Sequence, residues 1–129
     1  MGMAQPKRIL VVDDNLPLRV MLAQVLERAG YVAFVADSGE AALEVARFDP
    51  PDLCLVDQNM PGMTGAELIR ALRSSSDERL RRIPAIGLTG LERFAKDLVA
   101  AGALFALRKP IDEGPWLERV ERAMQWTHG

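Results

Sequence analysis

The chain has 129 residues, 49% of them hydrophobic and 26% charged, a composition that suits one ordinary globular unit able to bury a core. Its 16 Lys and Arg against 18 Asp and Glu leave a net charge of −2, so no general basic field exists to attract nucleic acid. No apolar run approaches membrane-spanning length and residues 1–7 hold no signal-peptide apolar stretch, which makes the cytoplasm the expected location. Those first seven residues read as a disordered segment or a cloning scar. The single Cys54 lies in an apolar run and reads as a small core residue.

In chain order, strand and helix patterns alternate, the mark of a parallel sheet covered on both faces. Arg8 to Val12 reads as a strand and Leu16 to Ala29 as a helix, with Val20, Ala23 and Leu26 among its apolar positions and Gly30 ending it. Tyr31 to Ala36 alternates as a second strand, and Ser38 caps a helix over Glu40 to Phe48 that Asp49-Pro50-Pro51 stops. Asp52 to Val56 is the third strand. Thr64-Gly65-Ala66-Glu67 then offers a capping box for a helix to about Arg73.

Ser74 to Asp77 is a polar break, and Arg79, Arg81 and Arg82 read as a solvated helix end or loop. Pro84 to Leu88 is the fourth strand, followed by a helix over Leu91 to Ala101 with Leu91, Phe94 and Leu98 on one stripe and Gly102 past its end. Ala103 to Leu107 is the fifth strand. A last helix runs from about Glu113 to Thr127, where Trp116, Val120 and Met124 recur at four-residue spacing as core contacts. Five strand-helix units account for the chain.

Three acids matter most. Asp13 and Asp14 follow the run Ile9-Leu10-Val11-Val12, and Asp57 follows Leu53-Cys54-Leu55-Val56. If the two strands are parallel neighbours, three carboxylates converge at one edge of the sheet and disfavour each other's ionisation. A hard cation relieves that repulsion, and Mg²⁺ suits a site of few carboxylates, several waters and a phosphate. The pattern points to phosphoryl chemistry on a carboxylate.

Taken together, Asp13-Asp14, then Asp57-Gln58-Asn59-Met60-Pro61-Gly62-Met63-Thr64-Gly65, then Thr89, then Lys109-Pro110 make the chain resemble a response-regulator receiver domain of two-component signalling, of the chemotaxis-regulator type. The resemblance covers residues 8–127. It implies a flavodoxin-like α/β fold, (βα)5, with a five-stranded parallel sheet of order 2-1-3-4-5 and helices on both faces. It implies Asp57 as the phosphoacceptor, with Asp14, Asp57 and the backbone carbonyl of Asn59 binding Mg²⁺, or Mn²⁺ in its place, and Asp13 acting through metal-bound water. Lys109 would contact a phosphoryl oxygen, aimed inward by a cis peptide to Pro110. Thr89 would donate its hydroxyl, with Gly90 as the small neighbour that lets the phosphoryl group approach, where alanine is the commoner family choice. Asn59 and Leu91 match the pair that tunes hydrolysis of the acyl phosphate.

One position departs from the family. Three residues before Lys109 an aromatic is usual, and this chain has Ala106, so the ring that commonly turns on phosphorylation is missing. Phe105 is adjacent, but strand alternation sends it to the opposite face.

The resulting expectation is a signalling phosphoprotein rather than an enzyme, phosphorylated by a histidine kinase or histidine phosphotransfer protein and switching its binding to a protein target not named by the sequence. Nucleic acid and membrane contact are not expected of this domain. His128 is the only histidine and a poor phosphocarrier at the chain end, so the donor acts in trans. Alternatives are a receiver excised from a hybrid kinase or longer regulator, and an aspartyl-nucleophile, metal-dependent phosphatase. The phosphatase would favour an aspartate two residues after Asp57, where Asn59 stands. A scaffold with a dead site ranks third, since the acids, threonine and lysine are all present.

Overall fold

A computed structural model describes residues 5–111 and 115–128. Five strands, β1 (Arg8–Val12), β2 (Val32–Ala36), β3 (Leu53–Asp57), β4 (Ala85–Thr89) and β5 (Ala106–Arg108), form one sheet in the order β2-β1-β3-β4-β5. Every pairing is parallel. The expected strand order holds.

Among the described residues six helices cover the sheet: α1 (Leu16–Arg28), α2 (Gly39–Phe48), α3 (Gly65–Arg73), α4 (Glu78–Arg81), α5 (Glu92–Ala101) and α6 (Pro115–His128). Alternation along the strands divides the core in two. Ile9, Val11, Leu53 and Leu55 face α1 and α6, packing on Leu22, Leu26, Trp116, Val120 and Met124. Leu10, Val12, Cys54 and Val56 face the other helices, packing on Leu43, Leu68, Ile69, Leu72 and Leu98. Leu22, Leu26 and Leu98 are fully buried, and truncating such a leucine to alanine typically costs about 2–5 kcal/mol. The interior strands β1, β3 and β4 are covered on two faces, which is why they read as largely apolar runs.

Local signals explain the helix ends. Asn15 Oδ1 accepts from Leu18 N–H at 3.0 Å, and Ser38 Oγ from Ala41 N–H at 3.1 Å. At α3 the capping box is complete: Thr64 Oγ1 accepts from Glu67 N–H at 3.2 Å while Glu67 Oε1 accepts from Thr64 N–H at 2.9 Å.

Four details differ from the sequence reading. β5 starts at Ala106, not Ala103, because Gly102 takes φ +124° and the Ala103 N–H turns back to bond Leu98 O at 3.0 Å. Those residues belong to the end of α5. A short helix, α4, is added to the five expected strand-helix units after the polar break, nucleated by Asp77 Oδ1 accepting from Arg79 N–H at 2.9 Å and by burial of Leu80, with Arg79, Arg81 and Arg82 solvated on it or at its end as expected. Leu91 is the N-cap of α5 and 46% exposed, so the buried stripe rests on Leu98 instead. Val20 is also exposed, and α1 buries Leu22 and Leu26. The expected start of the last helix at Glu113 lies outside the described residues; Trp116, Val120 and Met124 are buried as expected. Among the described residues no helix is long and apolar enough to cross a membrane.

Cys54 is 2% exposed in β3, and burial pushes its thiol up to about 12. At about pH 8 the native protein should therefore resist a disulfide exchange reagent that reacts at once after denaturation. Rapid labelling of the folded protein would show that β3 opens locally.

Candidate functional site

Because all strands run the same way, residues that follow their C-terminal ends gather on one side of the sheet. Val12 is in register with Val56, Asp57 with Leu88, and Thr89 with Arg108. Asp13, Asp14, Asp57, Thr89 and Lys109 are thereby brought to a common edge. One carboxylate oxygen from each of Asp13, Asp14 and Asp57 lies within 4.8 Å of the others. Asp13 and Asp57 are buried and Asp14 is exposed, so the group opens to solvent through Asp14.

Lys109 closes the other side. Its Nζ stands 2.9 Å from Asp57 Oδ1 and 3.3 Å from Asp13 Oδ2. Burial pushes the Asp57 carboxyl above its usual range, the lysine contact opposes this, and the neighbouring Asp13 and Asp14 charges reinforce it. Burial alone would lower Lys109, but the hydrogen bond and charge of Asp57, with Asp13 beyond it, hold its ammonium above the ordinary value. The Lys109–Pro110 peptide is cis.

The Lys109 ammonium contacts two of the three carboxylates, those of Asp13 and Asp57. Asp13 Oδ1 accepts from Asn15 N–H at 2.9 Å, whereas the buried Asp13 Oδ2 has only the ion-pair contact and accepts no hydrogen bond among the described residues. A buried carboxylate oxygen that accepts no hydrogen bond, beside two further oxygen donors, fits a hard divalent cation. The donor set contains no sulfur or imidazole.

Thr89 is fully buried, and its Oγ1 accepts from Leu91 N–H at 3.3 Å. Asn59 and Leu91 are exposed on their respective loops. Ala106 packs with the cluster on the α5 side, while Phe105 packs with the α1/α6 cluster under Arg119, whose Cζ lies 4.3 Å from the ring centroid. The expected separation of Phe105 from Ala106 is therefore observed.

Four residues join the site whose part in it the sequence reading did not assign. Gln58 is buried, and its Oε1 accepts from Ala66 N–H at 2.9 Å while its main-chain carbonyl accepts from Gly65 N–H at 3.1 Å. The start of α3 is thus tied to the residue after Asp57. Gly65 has no side chain to separate the two: a Cβ there would strike the Asp57 carbonyl oxygen and sit 3.0 Å from Gln58 Cα. Arg19 of α1 donates to the Asp13 carbonyl at 2.8 Å, and Arg108 of β5 donates to the Gly90 carbonyl at 2.9 Å. A polar residue beside the nucleophile position was the only sequence signal for Gln58; the arginines had none.

Residues 9–121 match the model of the response regulator receiver domain. The chain belongs to that family, the receivers of two-component signalling. It is 36% identical over 108 residues to the sporulation initiation phosphotransferase F of Bacillus subtilis, covering 82% of this chain and 84% of that protein. It is 42% identical over 117 residues to the CAI-1 autoinducer sensor kinase/phosphatase CqsS of Vibrio cholerae, covering 88% of this chain but 17% of that protein. A solved putative response regulator from Chloroflexus aurantiacus superposes with a TM-score of 0.87 at 31% identity, over 94% of this chain and 99% of that one. Receivers of this family take phosphoryl groups from histidine kinases or phosphotransfer proteins and bind Mg²⁺ at an acidic pocket.

The carboxylate geometry generates a metal prediction. At Mg²⁺ about 100 times its dissociation constant the fold should gain roughly 2.7 kcal/mol, read as a raised denaturation midpoint. Asp14→Ala should lose most of that gain yet be at least as stable as the parent in chelator, since one repelling charge is gone. Identical midpoints for parent and variant across a Mg²⁺ titration would remove Asp14 from the ligand set. Gly65→Ala should lower stability by about 1–3 kcal/mol through overpacking on the Asp57 backbone, measured by urea denaturation.

Proposed function

We propose that Asp57 is the phosphoacceptor of this receiver, and that the group made by residues 8–127 switches its affinity for a protein partner according to whether Asp57 carries phosphate. The observation that carries this reading is the Asp57 carboxylate, buried at a strand end, in contact with Lys109 and within reach of two further carboxylates.

An Asp57 oxygen attacks phosphorus in line, an aspartyl phosphate forms, and the bond from phosphorus to the donor's imidazole nitrogen breaks. The imidazole leaves with its electron pair and takes a proton from solvent. Lys109 Nζ, already at Asp57, bonds an equatorial phosphoryl oxygen as negative charge spreads there. Thr89 donates its hydroxyl to another, and Gly90 leaves the approach unobstructed. Asp13, Asp14, Asp57 and the Asn59 carbonyl would hold Mg²⁺, or Mn²⁺, which when bound neutralises charge on the transferring group. Water attacking phosphorus reverses the modification, with Asn59 and Leu91 flanking its path. In this sense the chain assists its own phosphorylation and dephosphorylation without a separate substrate.

Donors in this reading are a histidine kinase or histidine phosphotransfer protein acting in trans, in the cytoplasm. The match to a 17% share of CqsS supports a second arrangement, in which the same chemistry serves a receiver within a longer kinase. The aspartyl phosphatase alternative lacks an acid at Asn59.

With Mg²⁺ and radiolabelled acetyl phosphate or a cognate kinase, label should enter the parent in a base-labile linkage and be absent from Asp57→Asn. Stoichiometric labelling of that variant would overturn the assignment.

A further inference from the structure

β5 ends in a residue that reaches outside its own strand. Arg108 donates to Glu92 Oε2 at 2.7 Å and to the Gly90 carbonyl at 2.9 Å. Its guanidinium therefore joins β5, the loop from Thr89 to Leu91, and the first turn of α5. Ala106 lies two residues earlier on the same side of the strand, and both line an open groove of about 520 Å³ against Glu92, Lys96 and Val99 of α5. No bulky side chain from Ala106 fills the space beside this link.

The loop it holds has few other restraints. A Cβ at Gly90 would meet nothing within 4 Å, so the loop is not wedged by packing there. Leu91 caps α5 without a side-chain hydrogen bond. What fixes the loop is the 3.3 Å bond from Leu91 N–H to Thr89 Oγ1, the 2.8 Å bond from Lys109 N–H to Thr89 O, and the Arg108 fork. Thr89 is fully buried and its Oγ1 is already engaged by the Leu91 N–H, so a displacement of that hydroxyl toward a phosphorylated Asp57 would carry the loop with it.

Resting on the reading of Asp57 as phosphoacceptor, we propose that Arg108 is a positioning residue: its fork to Gly90 and Glu92 holds the loop in the phosphoryl-free arrangement and must open for Thr89 to engage the modified aspartate. Contacts made in only one of two conformers oppose the ligand that selects the other. The fork thus acts where an aromatic ring at position 106 would otherwise couple loop to surface. Arg108 is half exposed, so its removal leaves the core untouched and its effect is moderate.

The test uses the full chain and beryllofluoride with Mg²⁺ as the phosphoryl probe, followed by calorimetry and by amide chemical shifts. Arg108→Ala should bind the probe about threefold to tenfold more tightly than the parent, the effect of losing one charge-assisted bond in the free state. Its probe-free Gly90, Leu91 and Glu92 amide resonances should lie displaced toward their positions in the probe-bound parent. Arg108→Lys keeps the charge but cannot span both acceptors, so it should also bind more tightly than the parent. Glu92→Gln, which keeps an acceptor, should show a smaller gain. Unchanged or weaker binding by Arg108→Ala, or resonances that do not move toward the bound positions, overturns the proposal. Failure of the parent itself to bind the probe would instead overturn the reading of Asp57.

Discussion

Three carboxylates converge on one another beside a lysine ammonium that contacts two of them, and much of the site's chemistry follows from keeping them there. Left free, such groups would separate or take up protons. The parallel sheet forbids the first, because Asp13 and Asp57 are continuations of two adjacent, fully buried strands whose register is set by apolar packing on both faces. Lys109 partly offsets the second from the end of β5, two strands away from β3. The energy that holds the charges together therefore resides in the core: leucines and valines on both sides of β1 and β3 maintain an electrostatically unfavourable cluster, and a cation or a phosphoryl group draws on it. Pre-set repulsion makes the site responsive to ligand.

Much of this was readable in the residues. A strand buried on two faces is an apolar run, and a run followed by acids places those acids at a sheet edge without further information, as at Val12-Asp13-Asp14 and Val56-Asp57. The Ser38 and Thr64 caps were equally readable, since each acts within one turn of its own position. What escaped reading depends on contacts distant in sequence or on competition between local signals. Ala103 has the composition of a strand but is taken by the turn that ends α5. Leu91 fits an apolar stripe but sits one residue before the helix, where its side chain points to solvent. Asp77 heads a helix of a single turn, too short for periodicity to register. Arg108 and Glu92 are 16 positions apart, and a charged pair at that spacing has no sequence signature.

The two loops flanking Asp57 are secured differently. From Gln58 to Gly65 the chain is closed at its base by main-chain and side-chain bonds, and Met63 and Glu40 pack it to the start of α2. The Thr89 to Leu91 loop has an internal bond to Thr89 Oγ1, one main-chain bond from Lys109 and one surface guanidinium, with no packing at Gly90. On the proposed reading of Asp57 as phosphoacceptor, the more heavily bonded loop carries the acceptor and the less bonded one the Thr89 hydroxyl, which would direct motion toward α5 and the β5 edge rather than toward α2.

The contact between Gly65 and the Asp57 backbone also bears on how such a chain can change in length. With the helix seated directly on the acceptor's carbonyl, an inserted or deleted residue between Gln58 and Gly65 would either lift α3 or tear the bonds at its first turn. The stretch from Ser74 to Arg82 has no such anchor at the site: it lies at the opposite end of the sheet, mostly exposed, with its own one-turn helix as a self-contained addition. An inserted residue is accordingly better tolerated in that remote connection, where it leaves the surroundings of the aspartate unchanged.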